Sequence, residues 1–217
     1  MKRGAIFDMD GLLLDTERVY QAAWIETARV FGQTPDPAFP TAVSGSNGEE
    51  LRAIVRRFYP EVDPEAFRQH CLGRAEILLN QSGVEIKPGA PELLAYFQAN
   101  GVKIAVASSN SRERIQKNLE QCGLLPFFDA IASGLEVKRG KPLPDVFLLA
   151  AERIGIPPED CFVFEDSGNG IRAASAAGCA PVMVPDIAPA TEELRVLCAA
   201  VCSSLLEARD LIAAGRL

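Results

Sequence analysis

The hydrophobic pattern gives the chain two textures. GAIFD (4–8) is a short apolar run closed by an acid, which predicts a buried strand. From Thr16 the period lengthens. Tyr20, Trp24, Ala28 and Phe31 recur at helical spacing, with Thr16 placed as an N-cap. TPDPAFP (34–40) breaks that helix. SGSNGEE (44–50) is a loop opening a second helix, with Leu51, Ile54, Val55 and Phe58 on one face. Asp63 and Pro64 start a third, along which Phe67, Cys71, Ala75 and Leu78 align. Residues 16–85 therefore read as purely helical.

Beyond residue 86 strand and helix alternate. KPGAPELL (87–94) enters a helix, VKIAVA (102–107) is a strand, and SRERIQKNLEQCG (111–123) is a helix closed by Gly123. AIA (130–132) is a short strand, and the helix 144–155 ends at Gly155. CFVFE (161–165) and APVMV (180–184) are strands flanking a helix over 168–178. AAVC (199–202) and a helix near 204–214 repeat the theme weakly. Such alternation predicts an α/β fold whose parallel sheet is covered on both faces. GAIFD joins that sheet only if 16–85 is an insertion. The expected domains are a core of 1–15 plus 86–217 and a helical cap of 16–85.

Composition narrows the function. The 217 residues carry a net charge of −7, which argues against a general nucleic-acid or membrane-surface binder. No apolar run reaches the ~20 residues that span a bilayer, and the N-terminus lacks a signal-peptide pattern. The six cysteines form no C-x-x-C pair and there is one His, so a zinc site is not indicated. They read as core thiols of a reducing, cytoplasmic setting. A monomer is the default expectation.

Chemistry gathers at the strand ends, where open α/β sheets bind ligands. Asp8 and Asp10 follow GAIFD, and Ser108, Ser109 and Asn110 follow VKIAVA. Glu165, Asp166 and Ser167 follow CFVFE, and Lys141 precedes the helix at PDVF. Two carboxylate clusters suit a hard divalent cation such as Mg²⁺, which takes one or two carboxylates, waters and phosphate oxygens. Ser108, the backbone N–H groups of Ser109 and Asn110, and Lys141 suit a phosphate. Phosphate-monoester hydrolysis calls for acceleration of up to ~10²¹-fold, whereas acid–base help supplies only ~10²–10⁴. A covalent step is therefore expected, with Asp8 attacking phosphorus. Asp10, two residues on and on the same side of an extended backbone, would protonate the leaving oxygen and then activate water.

DMDGLLLDT (8–16) resembles the first motif of the haloacid dehalogenase superfamily, D-x-D-G-x-x-x-D-[ST]. Ser108, Lys141 in GKPLPDVF, and Glu165–Asp166 in FEDSGNGIRAA resemble the second, third and fourth motifs, in order. The match spans nearly the whole chain and is similar to the β-phosphoglucomutase-like group, which includes sugar-phosphate and pseudouridine-5′-phosphate phosphatases. It implies a Rossmann-like core with a helical cap that closes over a small phosphorylated metabolite. Asp8 is then the nucleophile and Asp10 the acid/base. Asp8, Asp10 through its carbonyl, Asp166 and Glu165 are the Mg²⁺ ligands, and Ser108 and Lys141 hold the phosphoryl group.

The chain departs from the mutases of the group, which use a His near position 20 and a cap-loop Arg. Here Tyr20 stands instead, and no Arg follows SGSNG before Arg52. The expected activity is therefore a Mg²⁺-dependent phosphatase, with a phosphomutase as alternative. A receiver-like signalling domain, phosphorylated on Asp, is a third reading, opposed by the cap and by Asp10. Elsewhere Asp15 reads as structural support, Arg52 and Arg56 as solvated surface, His70 as a surface or cap-edge residue, and Asp145 as a helix-start acid orienting Lys141.

Overall fold

The computed structural model describes residues 2–43, 46 and 48–217, so most of the SGSNG loop lies outside the described residues. In chain order the elements are β1 (Gly4–Phe7), α1 (Glu17–Val30), α2 (Phe39–Val43), α3 (Gly48–Phe58), α4 (Pro64–Ser82), α5 (Ala90–Ala99), β2 (Lys103–Ser108) and α6 (Arg112–Gln121). There follow β3 (Ala130–Ser133), α7 (Asp145–Ile154), β4 (Cys161–Glu165), α8 (Gly168–Ala176), β5 (Ala180–Met183), α9 (Glu192–Leu197), β6 (Ala200–Val201) and α10 (Leu205–Ala213). The chain divides into two compact units, Met1–Leu14 with Ile86–Leu217, and Asp15–Glu85.

The larger unit is the expected α/β layer structure. Its six strands are parallel and run in the order β3-β2-β1-β4-β5-β6. Strand order reverses direction around β1, the topological switch point at which such sheets bind ligands. β1 lies between β2 and β4, with Phe7 beside Val106 on one side and Phe164 on the other. All four β1 residues are buried, as a central strand covered on both faces requires. Phe7 stacks on Phe164 at 4.6 Å and meets Phe97 edge-on at 6.1 Å, which packs the backbone just before Asp8. On the opposite face Ile6, Ala105, Val163, Phe147 and Ala150 form a close-packed cluster of small and large side chains.

After β1 the chain turns through Asp10–Leu14. Gly11 takes φ +79° and its N–H reaches the Leu14 carbonyl at 2.9 Å, a left-handed turn that a side chain would strain. Leu14 pairs antiparallel with Ile86, and Lys87 N–H donates to Leu13 O at 2.9 Å.

The smaller unit is helical and has its own aromatic core. Trp24, Phe39, Tyr59 and Phe67 are buried together, and Trp24 stacks on Phe67 at 5.8 Å. Tyr20 packs against this cluster from its partly buried margin. Thr16 occupies the N-cap position of α1, and Asp63 caps α4 through the N–H of Ala66 at 2.7 Å. His70, read as a surface or cap-edge residue, is half-buried on α4, where its Nδ1 meets Thr27 Oγ1 at 3.0 Å and its ring stands edge-on to Phe31. Arg52 and Arg56 both pair with Glu49, at 2.8 and 2.7 Å, on an exposed face.

Candidate active site

The carboxyl ends of β1, β2 and β4 bring the sequence-predicted residues of the larger unit to one rim. Parallel register does this directly. Asp8 N–H donates to Phe164 O at 3.0 Å, so the residue after β1 stands level with Glu165 at the end of β4. On the other flank β1 runs beside β2, which ends at Ser108.

Lys141 sits at the centre. Its ammonium donates to Asp8 Oδ1 at 2.5 Å, to Glu165 Oε1 at 2.6 Å and to the Ala107 carbonyl at 3.3 Å. Its Nζ also lies 4.8 Å from the Phe147 ring centroid, a cation–π contact. Lys141 is 6% exposed and Glu165 1% exposed, so these charges are held away from water. Burial alone would lower the lysine's pKa, but the attraction of Asp8 and Glu165 outweighs it and the ammonium is held charged. For Asp8 the balance falls the other way. Burial pushes its carboxyl well above the usual carboxylate range, Lys141 offsets only part of that, and Glu165 and Asp10 add to the rise. Asp8, Asp10 and Glu165 thus crowd three carboxyl groups around one end of the sheet.

Glu165 spends both oxygens on the protein. Oε1 meets Lys141, and Oε2 accepts from Ser167 N–H at 3.0 Å and Ser167 Oγ at 2.9 Å. Ser167 also caps α8 by accepting from Gly170 N–H at 3.1 Å. Gly170 allows this packing: a Cβ there would fall 1.8 Å from the Glu165 carboxyl carbon. Asp145 does not orient Lys141. It pairs with Arg139 at 2.8 and 3.1 Å, while Asp8 and Glu165 set the ammonium.

Asp10 faces the end of β2. Its Oδ2 accepts from Asn110 Nδ2 at 2.6 Å and from Ser108 Oγ at 3.3 Å. Ser108 is buried and its Oγ in turn accepts from Asn110 N–H at 3.2 Å. Ser109 is exposed, with its backbone against Gly134, where a Cβ would approach Ser109 Cα to 3.0 Å. Asp166 is buried just past β4. The sequence reading missed Ser133. Its Oγ donates to the Asn110 carbonyl at 2.5 Å and accepts from Leu135 N–H at 3.1 Å, and it lies level with Ser108 across the β2–β3 pair. The serine closing AIAS, one strand over from Ser108, was the available signal.

Asp8, Asp10 and Asp166 offer only oxygen donors, the chemistry a hard divalent cation takes. The crowding of carboxyl groups at the rim fits a cation of that kind. Among the described residues no group of three or more His, Cys, Asp or Glu side chains is arranged around a metal position. Mg²⁺ asks for less, being held by one or two carboxylates with waters and phosphate oxygens.

A parallel sheet with reversed order at β1 gathers acids, a hydroxyl and a buried lysine at its switch point. The chain belongs to the haloacid dehalogenase-like hydrolases, whose family model matches residues 2–178. It is 39% identical over 188 residues to the Drosophila melanogaster protein named "Probable pseudouridine-5'-phosphatase", covering 83% of this chain and 80% of that one. It is 35% identical over 176 residues to fructose-1-phosphate phosphatase YqaB of Escherichia coli, covering 81% and 92%. A solved HAD family hydrolase from Deinococcus radiodurans, with bound phosphate and sodium, superposes with a TM-score of 0.79 at 29% identity, covering 99% and 96%.

Proposed function

We propose that this hydrolase is a Mg²⁺-dependent phosphatase for a small phosphate monoester, a sugar phosphate or a nucleoside 5′-phosphate, acting through an aspartyl-phosphate intermediate. The observation that carries the reading is the buried lysine joining Asp8 to Glu165 beside an Asp10 held by Asn110. One carboxylate is braced by a fixed cation, while a second, two residues on, accepts from Asn110 and Ser108 and suits proton transfer. Similarity to proteins named as sugar-phosphate and nucleotide phosphatases supports the substrate class.

In this reading Asp8 attacks phosphorus while Lys141 holds its Oδ1 and offsets charge on the phosphoryl group. Asp10 gives its proton to the departing alkoxide as the ester P–O bond breaks. It then takes a proton from water as the water oxygen bonds phosphorus and the Asp8–phosphorus bond breaks, which restores both acids. Ser108 and the N–H groups of Ser109 and Asn110 cradle the phosphoryl oxygens. Asp8, Asp166 and the Asp10 carbonyl would hold Mg²⁺, which supplies charge neutralisation for the transferring group. Glu165, with both oxygens engaged, serves to position Lys141. The helical unit selects the organic group, and the setting is cytoplasmic.

Phosphorus NMR of hexose phosphates and nucleoside 5′-phosphates, pseudouridine 5′-phosphate among them, tests this with Mg²⁺ present. Growth of free phosphate is expected, abolished in Asp8→Asn with the fold intact by circular dichroism. Phosphate migrating within a sugar with little release would instead establish a mutase. An aspartyl phosphate surviving for minutes would favour a signalling domain. Turnover by Asp8→Asn at the wild-type rate would sink the covalent assignment.

A further inference from the structure

The turn after β2 is expected to bind phosphate through Ser108 and the backbone N–H groups of Ser109 and Asn110; the Asn110 side chain has other partners. Its Nδ2 donates to Asp10 Oδ2 at 2.6 Å and to Ser108 Oγ at 3.3 Å, so both amide hydrogens face protein partners. The Asn110 backbone is pinned from a third direction by Ser133, whose buried hydroxyl donates to the Asn110 carbonyl at 2.5 Å. Ser133 is fixed in turn. Its N–H donates to Glu136 Oε2 at 2.9 Å, and Glu136 pairs with Arg153 of α7 at 2.7 Å. A chain of contacts therefore runs from α7 through the end of β3 to one oxygen of Asp10.

We propose that Asn110 is a positioning residue for Asp10, held in place by Ser133. The proposal rests on the phosphatase reading above. The amide holds the Asp10 carboxyl in one orientation at the end of β2, and the acid and base roles proposed for Asp10 depend on that orientation.

The consequence is a dependence on leaving group, which a purely structural residue or a phosphate contact would not produce. A sugar or nucleoside alkoxide needs a proton to depart, whereas 4-nitrophenolate does not. kcat/KM reports the step up to leaving-group departure, and kcat includes hydrolysis of the aspartyl phosphate. The test compares wild type, Asn110→Ala, Ser133→Ala and Asp8→Asn on 4-nitrophenyl phosphate. It also uses whichever of fructose 1-phosphate and pseudouridine 5′-phosphate the wild type turns over faster.

For Asn110→Ala, kcat/KM on the unactivated ester is expected to fall by roughly 30–100-fold, within the ~10²–10⁴ that acid–base catalysis supplies. On 4-nitrophenyl phosphate it is expected to fall by only about 3-fold. That substrate should instead show a burst of nitrophenolate followed by slower steady turnover, because water activation is impaired. Ser133→Ala should show the same asymmetry with a smaller loss. Equal losses of kcat/KM on both substrates, or a rise in KM alone with weaker inhibition by inorganic phosphate, would overturn the proposal and return Asn110 to phosphate binding. Asp8→Asn separates the two levels. Its silence on both substrates upholds the phosphatase reading whatever Asn110 does, and its turnover of either defeats that reading and the inference with it.

Discussion

Gly170 shows how much of the site rests on a missing side chain. An added methyl would lie 1.8 Å from the Glu165 carboxyl carbon, and that carboxyl is tied to Lys141 and to Ser167 on either side. Gly170→Ala must displace Glu165, and Lys141 then loses an anionic partner. Activity on the preferred monoester is expected to fall at least 10-fold, with a stability loss of about 1–3 kcal/mol from the disturbed buried hydrogen bonds. Urea unfolding and steady-state kinetics on the one variant check both. Asp8, Asp10, Ser108, Glu165 and Asp166 are legible in the sequence because each lies at or just past an apolar run whose end is easy to see, and Lys141 because it precedes the helix that opens at PDVF. The engagement of Glu165 with Ser167, and of Asn110 with Asp10, is not legible. Side-chain partners depend on register and rotamers, and spacing along the chain encodes neither. Asp145 illustrates the limit: four residues from Lys141, it pairs with Arg139 instead.

At the scale of elements, α8 is joined to the site through its own N-cap. Ser167 Oγ both accepts from Gly170 N–H and donates to Glu165, so one hydroxyl starts a helix and braces a buried carboxylate. Ser204 caps α10 by the same geometry, through Glu207 N–H at 3.2 Å, but at the end of the chain of elements that follows β6. Ser167→Ala and Ser204→Ala should each cost about 0.5–2 kcal/mol, the ordinary loss of a cap. Only Ser167→Ala should also lower kcat, because it leaves Glu165 short of a partner. Thermal unfolding beside kinetics separates the pair. The sequence shows the strands and helices of the larger unit well, since short continuous apolar runs and amphipathic runs of period 3.6 alternate cleanly there. β6 is the weak case. It is a two-residue edge strand held by pairing with β5, which tertiary context creates and local pattern barely marks.

The whole molecule carries its acid sensitivity in both units. Salt-bridge hydrogen bonds hold Glu65 down to about 2 through Arg68, and hold Glu49 below the usual range through Arg56 and Arg52. Glu136 is lowered first by its bond with Arg153, and Asp145 by its bond with Arg139. A carboxyl whose folded pKa is depressed stabilises the fold above its unfolded pKa, near 4, and loses that contribution as pH falls through the folded value. The contribution of these four pairs should therefore be complete above about pH 5 and be lost between about pH 4 and 2. The Tm gap between Glu65→Gln and wild type should narrow over the same interval, as calorimetry across that range would read. All these pairs are exposed enough that the effect of any one is small. The strand order has a separate bearing on how the protein comes into being. Synthesis runs from the N-terminus, so Asp8 is made before the strands that flank β1, which begin at Lys103 and Cys161. Until Lys141 and Glu165 are made, Asp8 has neither the ammonium beside it nor the carboxylate that seats that ammonium. The arrangement around Asp8 thus forms only when later segments return to an earlier one, and topology withholds it from a partly made protein.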